Sequence, residues 1–291
     1  MSNLLGRKTR RLGFFFSLPA IIFFIAFLVI PIFFTIYLSF CSWTGFDFSQ
    51  IKFSGINNYM NVFTDRIFHK AFYQTFIFVI LKVFFLNVFG LIGALIIDVR
   101  APGSKFLRSV IFIPCLLSPI IIGVMWSRMF DAFGIVNQIL KYFHLIKLPI
   151  LWHGDPNIAL YTIVVATIWQ WTGFNVLLYY AGLQSIPNEL IEAAKVDGAS
   201  YSKIVLKVMI PLLGPVITIA VLWNLIGGFK VFDIVYVMTR GGPNHASEVL
   251  STYLYQNAFT FNKMGPASVI AIVVVLLCVI VSVIRLKAAK E

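Results

Sequence analysis

Between Leu12 and Phe40 the chain carries no charged side chain. So long an apolar stretch does not suit the surface of a water-soluble domain. It suits a helix crossing a bilayer, which needs about 20 apolar residues. Further runs of the same character cover Ala71 to Ile97 (interrupted only by Lys82), Ser109 to Ser127, Ile158 to Leu183, Val208 to Phe229 and Pro266 to Ile284. They are too long for membrane strands and lack alternation, so helices are expected. The fold class predicted is an all-α polytopic membrane protein with six transmembrane helices, at about 12–40, 71–97, 109–127, 158–183, 208–229 and 266–284. Composition agrees: 60% of the 291 residues are hydrophobic and 12% charged, against about half and a quarter in soluble proteins.

Lys and Arg in the short loops set the orientation. With the N-terminus inside, the cytoplasmic segments hold Arg7, Lys8, Arg10, Arg11, Arg100, Lys105, Arg108, Lys195, Lys203, Lys207, Arg285, Lys287 and Lys290. The longer outer loops hold Lys52, Arg66, Lys70, Lys141, Lys147, Lys230, Arg240 and Lys263. Both termini are therefore expected in the cytoplasm, with a cytoplasmic segment at 1–11 and a membrane domain at 12–291. The first run is too long for a signal-peptide core and is expected to be a retained helix, with Pro19 and Pro31 as kinks. The net charge of +12 sits at the ends of apolar runs and forms no stripe, so no nucleic-acid partner is expected. Cys41, Cys115 and Cys278 have no metal or redox spacing and read as small hydrophobes. His69, His144, His153 and His245 are scattered through the outer loops, and no metal site is expected.

The connector at 184–207 is polar and inside by the charge count. Asn188 is positioned to cap a short helix, and Glu189 and Glu192 suit the positive end of its dipole. Ala193 and Ala194 favour helix. Asp197-Gly198 supplies a stop. Small residues beside a charge suit the close approach of another surface, although an ordinary amphipathic connector has the same look.

Glu192-Ala193-Ala194, Gly198 and Val208-x-Ile210-Pro211 together resemble the EAA loop of binding-protein-dependent ABC importer permeases, with Val208 and Ile210 as conservative departures. Phe232-Asp233 followed by Thr239-Arg240-Gly241-Gly242-Pro243 resembles the carbohydrate branch, the first permease of the maltose, lactose and glycerol-phosphate type. The resemblance implies the ABC importer type I permease fold. It implies that Glu192, Ala193, Ala194, Asp197 and Gly198 couple the chain to a cytoplasmic ATPase in the bacterial cell membrane. The implied partners are a second, homologous permease subunit in a heterodimer, two ATP-binding subunits and an extracytoplasmic solute-binding protein received by the outer loops. No Gly-x-x-x-x-Gly-Lys-Ser/Thr loop is present. The chain is thus expected to be non-catalytic and to bind no cofactor, with ATP-Mg on the partner ATPase.

Polar groups inside a bilayer usually face a pathway or a partner. By the same resemblance Cys115, Pro119, Thr172, Gly173, Val176, Asn224 and Gly228 are candidates for the substrate path, and Trp169 joins them because an indole can stack on a sugar ring or serve in packing. Such residues also glue membrane helices together. Lys82 is open between snorkelling to the outer interface and pairing at a subunit interface; Asp98 and Arg128 read as interfacial. The function expected is uptake of a sugar or oligosaccharide. The alternatives are an ABC permease for another polar solute, such as glycerol phosphate or a sugar conjugate, or a secondary transporter.

Overall fold

The computed structural model describes residues 16–98 and 104–288. The N-terminal segment 1–11 with its four basic residues, the start of the first run, Arg100 and Lys290 lie outside the described residues. So do the side chains of Asp98 and Lys105.

The chain divides into two compact units. The first comprises residues up to Thr64 together with Leu254–Ile272. Its main element is α1 (Phe16–Ser39), which contains a π turn at Ile25–Val29 and is almost wholly exposed along its apolar length. A two-residue antiparallel pair, β1 (Cys41–Ser42) and β2 (Lys52–Phe53), leads to α2 (Asn57–Thr64). Asn58, 6% exposed, ties this unit together. Its Nδ2 donates to the carbonyls of Ser39 at 2.9 Å and Cys41 at 2.8 Å, so the chain leaving α1 finds partners for its freed acceptors.

The second unit holds the bundle. Its helices are α3 (Arg66–Asp98), α4 (Ser104–Leu116), α5 (Pro119–Met129), α6 (Ile135–Tyr142) and α7 (Ala159–Gln184). They are followed by α8 (Asn188–Val196), α9 (Tyr201–Leu212) and α10 (Gly214–Phe229). The short α11 (Asp233–Met238) and α12 (Leu250–Tyr255) precede α13 (Met264–Ala288), which begins in the first unit and continues into the second. α3 and α7 pack along their length, and α10 and α4 flank them. The α3–α7 approach is close because α3 offers glycines. A Cβ on Gly90 would lie 2.6 Å from Asn175 Cβ, and one on Gly93 2.6 Å from Val176 Cγ2.

Two expected spans are broken. The run at 109–127 is divided between α4 and α5, which bend by 96°. Ser118 precedes Pro119, which disfavours the helical region there, and Ser118 takes ψ 139° while its side chain accepts from Ile120 N at 3.3 Å. The run at 208–229 belongs to two helices, α9 and α10, which bend by 69° at Leu213 between Pro211 and Pro215. α9 begins at Tyr201, within the connector expected at 184–207. Among the described residues three helices (α1, α3 and α13) are long and apolar enough to cross a membrane, or up to five spans if each bent pair counts as one. α7 falls outside this set because of its buried Thr162, Thr167, Gln170 and Asn175. α3, α4 and α10 pack against its polar side, while Tyr161, Val165 and Trp169 keep an apolar stripe exposed.

Candidate functional site

α8 is held to the bundle by one side and leaves the other free. Ile191 and Ala194 pack against a core of Tyr179, Leu183, Ile186, Ile204, Met209 and Leu213. Glu189, Glu192, Ala193 and Val196 are exposed. Their i, i+3, i+4, i+7 spacing puts them on one face, and Val196 reaches 87% exposure. Asn188 is the first helical residue and not the expected cap; Pro187 holds the cap position without a side-chain hydrogen bond. The C-terminus closes as a Schellman motif. Ala199 N donates to Ala194 O, and Gly198 N donates to Lys195 O, each at 3.0 Å. Gly198 has φ +75°, a left-handed value that costs a side-chain-bearing residue about 1–2 kcal/mol. Nothing lies within 4 Å of its Cβ position, so glycine is needed there for the turn and not for space. A cavity of about 480 Å³ opens beside α8, lined by Gln184, Asn188, Glu192, Lys195, Tyr201 and neighbouring apolar residues.

The Thr239–Pro243 segment surrounds a feature the sequence reading missed. Glu248 is fully buried. His245 Nδ1 lies 2.9 Å from its Oε2, and Thr252 Oγ1 donates to its Oε1. Gly241 (φ +84°) covers the carboxylate, and a Cβ there would lie 2.6 Å from Glu248 Cδ. Thr239 and Ser247 hydroxyls meet at 2.7 Å beside it. The Gly-Gly-Pro turn therefore wraps an acid, and the signal in the sequence was the His245-x-x-Glu248 spacing just after it.

Among the described residues, most of those expected along the substrate path take part in contacts between helices. Gly173 is pressed against α4: a Cβ there would lie 2.8 Å from the Ile111 carbonyl carbon and 3.0 Å from Phe112 Cα. Val176 is buried on Gly93, and Gly228 packs on Val79. Asn224, 1% exposed, donates to Asn175 Oδ1 at 2.8 Å and joins α10 to α7. Cys115 Sγ donates to Gln170 O at 2.8 Å and accepts from Phe174 N at 3.2 Å. Pro119 starts α5 at the break. Gln170 Nε2 donates to Leu117 O at 3.1 Å, satisfying a carbonyl freed by that break. Trp169 stacks edge-on against Trp126, centroids 5.6 Å apart. With Thr172 and Gly173 it lines an open, apolar groove of about 830 Å³, and the Thr172 hydroxyl is spent on Ile168 O at 2.6 Å. In this conformation most of these groups join helices to one another.

A helical bundle with two proline-broken helices and a capped, one-sided helix between α7 and α9 defines a membrane permease of the ABC importer type I fold. The chain belongs to the family described as binding-protein-dependent transport system inner membrane component, which matches residues 86–287. It is 34% identical over 284 residues to the lactose transport system permease protein LacF of Rhizobium radiobacter, covering 96% of this chain and 94% of that one. It is 32% identical over 291 residues to the trehalose/maltose transport system permease protein MalF of Thermococcus litoralis, covering 100% and 97%. A crystal structure of a bacterial ABC transporter involved in the import of the acidic polysaccharide alginate shares the fold. Its TM-score is 0.85 at 21% identity, covering 100% of this chain and 99% of that chain.

Proposed function

We propose that this chain is the membrane subunit of an ATP-driven importer and carries a sugar or oligosaccharide across the cell membrane. The observation that carries the reading is the free face of α8. Glu192 and Ala193 are exposed on a helix whose other side is anchored through Ile191 and Ala194, so a load on that face is transmitted to α7 and α9. In this reading α8 docks into a cytoplasmic ATPase, Glu192 pairs with a basic side chain there, and ATP-driven closure of two such subunits moves the bundle. ATP-Mg is bound and hydrolysed on those partners. A second, homologous permease completes the pathway, and an extracytoplasmic binding protein delivers the solute. The chain would cross the membrane six times with both termini inside, counting α7 and each bent pair as one span.

The named relatives support a saccharide as solute: lactose, trehalose/maltose and, for Streptococcus mutans MsmF, multiple sugars. A related crystal structure described as the alginate ABC transporter with a pentasaccharide-bound periplasmic protein supports delivery by a binding protein. The test is co-purification of the chain with its ATPase, with and without deletion of residues 188–200. Loss of the ATPase on deletion, with the chain still in the membrane, is the expected result. Retention would remove the docking role of α8.

A further inference from the structure

Lys82 sits where a lysine is least expected. The buried face of α3 runs through Phe68, Ala71, Thr75, Phe78, Leu86, Ala94 and Ile97, and Lys82 falls on that stripe with 6% exposure. The opposite face, with Tyr73, Ile80, Phe84 and Ile96, is the exposed apolar one. About 24 Å of helix lies on either side of Lys82 at 1.5 Å per residue. Its side chain is turned into the bundle and almost wholly covered there.

No hydrogen bond or ion pair to Lys82 occurs among the described residues. Nor is its Nζ among the fully buried unpaired atoms, so the little that remains accessible includes the ammonium tip. The neighbouring helices α7 and α10 contain no carboxylate. Facing the ammonium is Gly227 of α10, where a Cβ would lie 3.3 Å from Nζ. Glycine keeps the space before the charge clear. A charge at this depth persists where it meets a pathway or a counter-charge, and the chain's own helices supply no counter-charge.

We propose that Lys82 is an anion-recognising group in the translocation pathway, and that the solute is a saccharide bearing a carboxylate or phosphate. This rests on the importer reading above and narrows it. The solute's anionic oxygen takes the place in front of the ammonium that Gly227 leaves open, and a neutral sugar leaves the charge unpaired.

The test uses the full transporter in proteoliposomes with its binding protein, supplied in turn with a uronate trisaccharide, a hexose phosphate and a neutral trisaccharide. One anionic probe is expected to be taken up at least tenfold faster than the neutral one, and which one separates carboxylate from phosphate. Lys82→Gln is expected to lower that uptake at least tenfold, Lys82→Arg to keep most of it, and solute-independent ATP hydrolysis to be unchanged in both. Gly227→Val, which fills the space before the ammonium, carries the same expectation as Lys82→Gln and serves where the latter lowers membrane levels. Uptake of the neutral probe alone, or anionic uptake indifferent to both substitutions, overturns the proposal and leaves the importer reading intact. Loss of the second permease from the purified Lys82→Gln complex also overturns it, assigning Lys82 to a subunit contact. A complex that hydrolyses ATP yet imports no saccharide of either charge removes the sugar reading and this proposal together.

Discussion

Gly173→Ala separates a ligand contact from a helix contact. The added Cβ would lie 2.8 Å from the Ile111 carbonyl carbon and 3.0 Å from Phe112 Cα, whereas carbon atoms settle at about 3.5–4.0 Å. These are backbone atoms and cannot rotate away. α4 must therefore retreat by about 0.7 Å or more, an overpacking that costs about 1–3 kcal/mol. The retreat also stretches the two hydrogen bonds of Cys115, to Gln170 O at 2.8 Å and from Phe174 N at 3.2 Å. In the purified transporter in nanodiscs, the unfolding midpoint read by tryptophan fluorescence should fall by about 2–4 °C per kcal/mol. Alkylation of Cys115, mapped by mass spectrometry, should speed up as its partners move off. Lost sugar uptake with an unchanged midpoint and an unchanged alkylation rate would refute the packing argument and return Gly173 to the substrate path.

Glu192→Lys leaves the fold intact because the side chain is exposed; uptake is expected to vanish while membrane level and midpoint hold, and normal uptake would end the docking role. Gly198→Val forces a β-branched residue to φ +75° at a cost of about 1–2 kcal/mol, so it should loosen the end of α8 and lower uptake. Gly198→Asn, which tolerates that conformation, should retain most uptake. Asn224→Ala strands Asn175 Oδ1 and is expected to cost about 1 kcal/mol in the membrane. Asn175→Ala with Asn224→Ala should cost less than the two single changes added, as a double-mutant cycle reads. His153, in the loop before α7, is held below the ordinary histidine range by burial, against an opposing pull from Asp131. Its unfolded form therefore takes up a proton first, so stability is full above about pH 6.5 and falls as pH drops through that value. His153→Gln should flatten that part of the midpoint–pH curve.

The sequence disclosed some features better than others, and the difference has physical causes. The apolar lengths of α1, α3 and α13 were legible because composition reports directly what lipid contact requires. The stop at Asp197-Gly198 was legible because glycine at a helix end has one common use. The breaks between α4 and α5 and between α9 and α10 were not, although Pro119, Pro211 and Pro215 stood in view. A proline in an apolar run bends a membrane helix by an amount set by what satisfies the freed backbone. For α4 and α5 that is Gln170 Nε2 on Leu117 O, 53 residues away in sequence. Glu248 was missed for a similar reason, since its burial depends on Gly241 folding back over it.

The candidate path shows the same limit from the other side. Cys115, Gly173, Val176, Asn224 and Gly228 stood out as small or polar residues in apolar helices, and the structure uses each in a contact between helices. Lys82 stood out on identical grounds, and it alone of the residues raised inside the spans is both buried and without a partner among the described residues. Polarity within a span therefore marks a residue as having a partner to find, and only the packing tells which residues have already found theirs. Asn224 has Asn175, and Gly173 has the backbone of α4. The importer's moving parts must break or keep such contacts as the bundle switches. A solute, by contrast, is best sought where the resting bundle leaves a charge facing open backbone, as it does between Lys82 and Gly227.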